Sequence, residues 1–207
     1  YWEEAMSPTP LDGLIITGAP VEHLPFEEVN YWKELVSLIE ESKLKCASTL
    51  GLCWAGFAMA YMAGVEKNIF NKKLFGVYPM RSLVPGHSLM GTQDDEFFCP
   101  QSRHAGLPDI EMEKAEKEGK LRLLAHGEKV GYTIFETPDQ RQLMHLGHPE
   151  YNVDRLKSEM DRDKKRGDVP PPENFDLTKS NTSWRSHRNL LFQQWLWFCY
   201  QRVSLSV

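Results

Sequence analysis

The sequence predicts an α/β protein with a doubly wound, mostly parallel sheet. Residues 11–20 form an apolar run that stops at Gly18 and Pro20, which is typical of a buried strand. Apolar residues then recur at three- and four-residue spacing from Phe26 to Ile39, which predicts an amphipathic helix. Residues 46–52 read as a second strand and residues 54–62 as a second helix. This alternation is typical of parallel sheets, whose sites lie beyond the carboxyl ends of the strands.

The rest of the chain continues as one unit. Residues 130–136 and 142–146 flank the turn 137–140 and predict a hairpin. The other predicted elements are strands at 73–78 and 121–125, a loop-like stretch at 79–100, and helices at 111–120, 153–166 and from Ser183 to Tyr200. We see no repeat and no second boundary, so we expect one domain over residues 1–207.

Composition favours a reducing, cytoplasmic setting and gives no sign of a nucleic-acid partner. The 207 residues are 41% hydrophobic and 26% charged, which is ordinary for a globular protein. The net charge of -5 gives no reason to expect a nucleic-acid partner. The sequence has no run of 18 apolar residues, so we expect no membrane span. Its four cysteines form no CxxC pair, which argues against a zinc ribbon or a disulfide framework and favours a reducing compartment.

Cys53 is the candidate nucleophile. It stands between the predicted second strand and second helix, where a sharp turn would lift the thiol out of the sheet. The helix dipole and free amides at that position favour the thiolate. The alternative interpretation is a small buried hydrophobic residue.

His148 and Glu150 are the candidate partners of Cys53. An imidazole can take the proton of a thiol and later activate an incoming nucleophile, and a carboxylate fixes its tautomer. The two residues stand two apart in an extended segment and therefore share one side. The alternatives are a structural loop histidine and a metal site of His145, His148 and Glu150, for which no further ligand cluster is visible.

Acyl transfer also needs donors to an oxyanion. The amide of Trp54 is one candidate because it follows the nucleophile at a helix start. The second candidate is the turn at Gly18 and Ala19, where small side chains let the backbone approach.

Several motifs together resemble the homoserine O-acyltransferase (homoserine transsuccinylase) family. They recur in family order over nearly the whole chain: DGLIITGAPVE at 12–22, CWA at 53–55, KLFGV at 73–77, GHPEY at 147–151 and SWRSH at 183–187. The resemblance implies a flavodoxin-like, class I glutamine-amidotransferase-type fold and ping-pong acyl transfer from an acyl-CoA. Family members carry a longer N-terminal region and are dimeric. We therefore expect residues 1–207 to be a single acyltransferase domain that lacks an N-terminal portion before Tyr1 and forms a homodimer.

The resemblance also implies roles for the site residues. Cys53 would carry the acyl thioester, His148 would act as general base and acid, and Glu150 would orient it. Arg162 would hold the carboxylate of the acceptor amino acid. Lys73 and Ser102 match substrate-contact positions of the family. Without the family resemblance, Arg162, Lys73 and Ser102 would be interpreted as ordinary polar side chains on the surface.

Glu22 bears on the acyl donor. The family tends to have Gly at this position in succinyl-transferring enzymes and Glu in acetyl-transferring ones, because a carboxylate fills space and repels the free carboxylate of a succinyl group. We therefore expect acetyl-CoA as co-substrate, with no permanently bound cofactor and no metal. The alternative interpretation of Glu22 is a solvated loop residue.

The acceptor stays open between L-homoserine and L-serine. Gln101, His104 and Arg188 stand where the family usually has His, Tyr and Gly, and residues 80–90 match poorly. One missing methylene discriminates by only roughly 1–3 kcal/mol. The predicted function is homoserine O-acetyltransferase in methionine biosynthesis. The alternatives are serine O-acetyltransferase in cysteine biosynthesis, homoserine O-succinyltransferase, a glutamine amidotransferase-like cysteine hydrolase, and a non-catalytic scaffold.

Overall fold

The computed structural model describes residues 11–165, 171–176, 178–179 and 181–204. Within these residues, seven strands form one sheet, and a short 3-10 helix (Phe26–Glu28) follows the first strand. The strands are β1 (Leu11–Ile16), β2 (Cys46–Leu52), β3 (Asn68–Ser82), β4 (Glu96–Gly106), β5 (Arg122–Gly127), β6 (Gly131–Glu136) and β7 (Gln142–His145). The α-helices are α1 (Trp32–Lys45), α2 (Trp54–Met62), α3 (Asp109–Lys117), α4 (Val153–Lys164) and α5 (Arg185–Ser204).

The strand order is β1-β2-β7-β6-β5-β3-β4. Strands β1, β2 and β7 are parallel, and the remaining neighbours pair antiparallel. The α/β class is confirmed, but the sheet is more mixed than the sequence predicted. Strands β5, β6 and β7 are joined by short turns, and a parallel crossover needs a dozen or more residues. The parallel part therefore comprises the three strands that end at the predicted site.

Helices cover both faces of the sheet, as the doubly wound prediction requires. On one face, α1, α2 and α3 contribute Ile39, Phe57 and Met112 to one buried cluster. On the other face, α5 contributes Trp195 to a second buried cluster. Side chains alternate across the sheet, so the strands in the middle supply both cores.

The strand–turn–helix unit around Cys53 has the predicted bounds, Cys46–Leu52 and Trp54–Met62. The preceding helix differs from the prediction. Instead of one helix starting near Phe26, the chain makes a 3-10 turn, extends at Val29 and begins α1 only at Trp32. The extended Val29 backbone, with φ -73° and ψ 120°, interrupts the helical hydrogen bonding.

None of the helices within the described residues combines the length and the apolar character that a bilayer crossing requires.

Candidate active site

Cys53 occupies a strained turn between β2 and α2. Its φ is +51° and its ψ is -118°, a combination that residues with a side chain rarely adopt. The amide of Cys53 donates to the carbonyl of His145 at 2.8 Å, so the end of β7 holds the turn in place. Cys53 is partly exposed, whereas Cys46, Cys99 and Cys199 are buried. The turn therefore presents this thiol at the carboxyl edge of the parallel strands.

Gly18 brings the loop after β1 against the sulfur. A β-carbon on Gly18 would lie 3.3 Å from the Cys53 Sγ and 3.5 Å from the amide nitrogen of Trp54. Ala19 lines the same space. The structure thus gathers the three predicted oxyanion residues around the thiol, with only backbone and small side chains between them.

His148 lies in the loop after β7, buried and held by three contacts. Its Nδ1 is 2.7 Å from Oε1 of Glu150, its ring stacks on Tyr151 with centroids 4.1 Å apart, and its amide donates to the carbonyl of Pro100 at 2.8 Å. The contact at Nδ1 leaves Nε2 for proton exchange with Cys53, whose charge acts on the ring.

The electrostatics of this group favour a charged imidazole. Burial of the His148 ring opposes the charge and lowers its pKa, but the charge and hydrogen bond of Cys53, with those of Glu150, outweigh burial and raise the pKa to about 10. A protonated His148 beside Cys53 is the partner that a thiolate needs. The Cys-His-Glu arrangement can therefore supply a nucleophile, a proton carrier and an orienting carboxylate.

His145 is turned away from this arrangement. Its Nδ1 accepts from the amide of Gly147 at 3.0 Å, and its Nε2 faces the Cys99 sulfur at 3.8 Å. Burial lowers the pKa of His145 well below its usual value, so the ring is neutral. In the part of the chain that the structure describes, no group of three or more His, Cys, Asp or Glu side chains is placed to hold a metal.

The thiol opens into a cavity of about 610 Å³. Nearly all the predicted site residues line it: Gly18, Ala19, Glu22, Cys53, Lys73, Ser102, His148, Glu150 and Arg162. Trp54, whose predicted contribution is its amide, has its side chain buried beside the cavity. These residues come from six separate segments of the sequence, and the fold brings them together.

Acidic residues of α4 that the sequence analysis did not select form one wall of the cavity. The Nζ of Lys73 lies 2.6 Å from Oδ2 of Asp163 and 3.9 Å from Oε2 of Glu159. The hydroxyl of Ser102 donates to Glu159, and the hydroxyl of Tyr151 donates to the other oxygen of that carboxylate at 3.1 Å. Both predicted substrate contacts, Lys73 and Ser102, are therefore fixed by carboxylates.

Arg162 belongs to the same network. Its Nε donates to Asp163 at 2.9 Å and one terminal nitrogen lies 3.4 Å from Glu159, while its side chain is 44% exposed. The hydrogen bond to Asp163 raises the pKa of Arg162, so the guanidinium stays charged. The two carboxylates orient the guanidinium and leave part of it exposed at the cavity.

The sequence carried a signal for these acids that we did not use. Leu156, Glu159 and Asp163 follow at three- and four-residue spacing, so both acids lie on the apolar side of α4 and are buried. Asp163 is therefore buried although it stands in the charged run 161–166, whose last residue, Arg166, lies outside the described residues.

Glu22 and two histidines also line the cavity. The rings of His23 and His104 lie 4.6 Å apart, and burial together with the neighbouring His23 ring lowers the pKa of His104. The negative charge of Glu22 favours a higher pKa of His104 but does not outweigh these two effects. His104 is one of the positions where the sequence departs from the motifs.

Comparison with known proteins agrees with this geometry. A sequence model described as homoserine O-succinyltransferase matches residues 2–205. The chain belongs to the homoserine O-succinyltransferase family. Curated relatives named homoserine O-acetyltransferase come from Agathobacter rectalis, 40% identical over 93% of this chain, and from Bacillus mycoides, 42% identical over 93%. The chain spans only 64% and 65% of the length of these two relatives.

Solved structures of glutamine amidotransferases share the fold of this family member. A glutamine amidotransferase from Thermotoga maritima superimposes with a TM-score of 0.65 at 14% identity, covering 91% of this chain and 77% of that one. A glutamine amidotransferase from Methylobacillus flagellatus gives a TM-score of 0.61 at 14% identity, covering 92% and 75%. At such identity the likeness concerns the fold alone.

Proposed function

We propose that this chain transfers an acetyl group from acetyl-CoA to the hydroxyl of L-homoserine through a thioester on Cys53, a step toward methionine. The observation that carries the proposal is the Cys53–His148–Glu150 arrangement, which opens into a cavity with Glu22 in its wall. Membership of the family supports acyl transfer to homoserine, and the names of the curated relatives support acetyl as the acyl group. Because the chain spans about two thirds of those relatives, the activity of the whole protein is part of the proposal.

The first half-reaction forms the acyl-enzyme. The thiolate of Cys53 attacks the carbonyl carbon of acetyl-CoA, and the tetrahedral anion forms beside the amide of Trp54 and the Gly18–Ala19 turn. The carbon–sulfur bond to CoA then breaks. The CoA sulfur takes the proton of the His148 imidazolium, which leaves neutral His148 and acetyl-Cys53.

The second half-reaction releases the product. Neutral His148 takes the proton of the acceptor hydroxyl, whose oxygen attacks the thioester carbonyl. Collapse of the second tetrahedral anion expels the thiolate of Cys53 and yields the O-acetyl amino acid. The thiolate–imidazolium pair is restored, and Glu150 holds Nδ1 throughout.

The walls of the cavity suggest which substrate lies where. Arg162 offers its exposed guanidinium to the carboxylate of the acceptor, and the acids of α4 can attract its ammonium. Glu22, which also lines the cavity, repels a donor that ends in a carboxylate. L-Serine is the second acceptor to test, because Gln101 and His104 flank Ser102 where the family motif has other residues.

Thiol release from CoA tests the proposal. The purified full-length protein is assayed with acetyl-CoA or succinyl-CoA, each with L-homoserine or L-serine, and glutamine hydrolysis is followed in parallel. We expect turnover with acetyl-CoA and L-homoserine that is absent in C53S and retained in C46S, whose cysteine is buried away from the cavity. Turnover with succinyl-CoA but not with acetyl-CoA would contradict acetyl-CoA as the acyl donor. Glutamine hydrolysis without release of CoA would replace the acyltransferase with an amidotransferase.

A further inference from the structure

His145 is a fully buried histidine at the end of β7, and its side chain does not line the cavity. It pairs in the sheet with Leu52, the last residue before the turn of Cys53. Its neighbours Leu143 and Met144 are apolar and pack into the two cores of the protein. An imidazole at such a position costs free energy unless its nitrogens have partners, so the contacts of this ring need a reason.

The backbone of His145 supports the turn of the nucleophile. Its carbonyl accepts from the amide of Cys53 at 2.8 Å, and Cys53 has the strained φ of +51° that such a contact helps to hold. The first turns of α2 pack on the same backbone, because a β-carbon on Gly56 would lie 3.5 Å from the amide nitrogen of His145. These contacts use main-chain atoms, so they do not explain why the side chain is an imidazole.

The ring of His145 holds the segment that leads to His148. Its Nδ1 accepts from the amide of Gly147, the residue directly before His148, at 3.0 Å. An accepting nitrogen carries no hydrogen, and burial lowers the pKa of His145 well below its usual value. The ring is therefore neutral, with its hydrogen on Nε2.

The other end of the ring reaches β4. Its Nε2 lies 3.8 Å from the Sγ of Cys99, and that sulfur lies 3.4 Å from the carbonyl oxygen of Pro100. Burial raises the pKa of Cys99, so the thiol keeps its hydrogen and donates it to this carbonyl. The same carbonyl accepts from the amide of His148 at 2.8 Å. The chain of contacts that starts at the ring thus ends on the general base.

Gly147 shows how closely the loop is fitted to β4. A β-carbon on Gly147 would lie 2.9 Å from the Sγ of Cys99 and 2.9 Å from the carbonyl oxygen of Pro100, closer than such atoms pack. The backbone before His148 therefore rests directly on the two residues that the ring of His145 reaches.

We propose that His145 is a positioning residue that fixes the loop of His148 relative to the turn of Cys53. Its carbonyl holds the turn, and its neutral ring holds the loop through Gly147 and Cys99. The side chain acts from behind the site and reaches neither substrate. The inference rests on the proposed function only in taking Cys53 and His148 as the reacting pair.

His87 provides a matched control for a test of this role. Its Nδ1 also accepts from the amide two residues later, that of Leu89, at 3.2 Å, and its Nε2 lies 2.8 Å from Oε1 of Glu136. The residue is buried and does not line the cavity. Its replacement removes a comparable buried ring without touching the loop of His148.

The experiment is the rate of Cys53 alkylation by iodoacetamide at neutral pH, followed by peptide mapping. H145L removes both ring nitrogens, H145N keeps an acceptor oxygen near the place of Nδ1, and H87L is the control. Urea unfolding shows that each variant is folded. For variants that turn over acetyl-CoA and L-homoserine, kcat and KM are measured separately.

We expect folded H145L to be alkylated about tenfold more slowly, because His148 is then poorly placed to take the proton of the thiol. Its kcat should fall by at least as much, whereas the KM for acetyl-CoA should stay within about twofold, because no cavity side chain has changed. H145N should recover most of the alkylation rate, and H87L should react as wild type.

Wild-type alkylation of folded H145L would overturn the inference, as would equal losses in H145L and H87L or in H145L and H145N. If H145L does not fold, nitrogen NMR of the imidazole rings in the wild-type protein decides the matter. A hydrogen on Nε2 of His145 supports the inference, and a hydrogen on Nδ1 overturns it. Because alkylation uses no CoA, failure of acetyl-CoA to label Cys53 would count against the proposed function and not against this role.

Discussion

Gly18 lies so close to Cys53 that a β-carbon built on it would meet the Cys53 Cβ at 3.0 Å and the Sγ at 3.3 Å. These contacts are tighter than ordinary van der Waals packing. The loop after β1 and the turn after β2 are therefore fitted to one another around the thiol, and the absence of a side chain at position 18 is what allows it.

The G18A substitution should therefore impair the first half-reaction. The added methyl group displaces the sulfur or the loop by a few tenths of an ångström, and we expect acylation of Cys53 to slow roughly 100-fold. Rapid-quench mass spectrometry after mixing with acetyl-CoA measures this. The control is G119A, a glycine with φ +71° and nothing within 4 Å, where strain lowers stability but leaves acylation intact. Wild-type acylation by G18A would contradict the assigned position of the turn.

The His148 charge predicts how stability depends on pH. Its folded-state pKa, about 10, lies above the value of roughly 6.5 in an unfolded chain. The stabilisation is therefore complete below pH 6.5 and is lost as the pH rises toward 10. Replacing Glu150 by Gln removes one of the groups that raise this pKa, so urea unfolding of E150Q should show a smaller loss of stability between pH 6 and 10.

D109N is the matched control for that experiment. Asp109 also lies beside a histidine, with 3.0 Å between its Oδ2 and the Nε2 of His126, but this pair is exposed. Its substitution should leave the pH dependence unchanged, since solvent screens the pair. Equal losses of stability in E150Q and wild type would mean that Glu150 does not hold the charge on His148.

Replacing Glu22 tests the basis of donor selection. The E22G variant removes both the bulk and the charge of the side chain, whereas E22Q removes only the charge. We expect labelling of Cys53 by succinyl-CoA to rise about tenfold or more, relative to acetyl-CoA, in E22G. An intermediate rise in E22Q would assign part of the effect to charge. Unchanged labelling ratios in both variants would show that Glu22 does not contact the acyl group.

Replacing Arg162 should weaken binding of the acceptor and leave the reaction with the acyl donor unchanged. Loss of a charge-assisted hydrogen bond to the acceptor carboxylate is worth roughly 1.5–3 kcal/mol, so R162M should raise the KM for L-homoserine about tenfold to 100-fold. Acylation of Cys53 by acetyl-CoA should proceed as in wild type. K164M, an exposed cation two residues further along α4, is the control and should change neither quantity. A slower acylation step in R162M would place Arg162 on the donor side.

The Lys73–Asp163 pair predicts a stability effect. Both side chains are 4% exposed and their charged atoms are 2.6 Å apart, so removing one partner leaves a buried charge behind. We expect K73M to lose roughly 3 kcal/mol of unfolding free energy. The double variant K73M/D163L should lose less than the sum of the two single variants, as measured by urea unfolding. Additive losses would indicate that the two groups are not coupled in the folded protein.

Local patterns were sufficient to predict the nucleophile turn. The bounds of β2 and α2 agree with the sequence because the run from Cys46 to Leu52 is apolar and central, and small residues then favour a helix. His148 and Glu150 were paired from their spacing, and their 2.7 Å contact agrees with it. These features depend on residues that are close in sequence, so they could be predicted before the structure was known.

Features that depend on distant contacts could not be read in this way. Arg103 shows no sign in the sequence of its complete burial, because its hydrogen-bond partners come from β4 and from the turn at Val130. The β6–β7 hairpin was predicted, but the other antiparallel pairs were missed for a similar reason: the longest of them, β3 with β4, lies partly in a stretch that reads as loop. The pairing of Asp163 with Lys73 was missed because the two residues stand 90 positions apart in the sequence.

Intact-protein mass spectrometry tests most directly whether Cys53 carries the acyl group. The purified full-length protein is mixed with acetyl-CoA, its mass is measured, and the modified peptide is mapped before and after addition of L-homoserine. We predict one acetyl group on Cys53 that L-homoserine discharges within seconds, and no adduct in C53S. An adduct on another residue, or an acetyl group on Cys53 that neither L-homoserine nor L-serine removes, would contradict the acyl-enzyme mechanism.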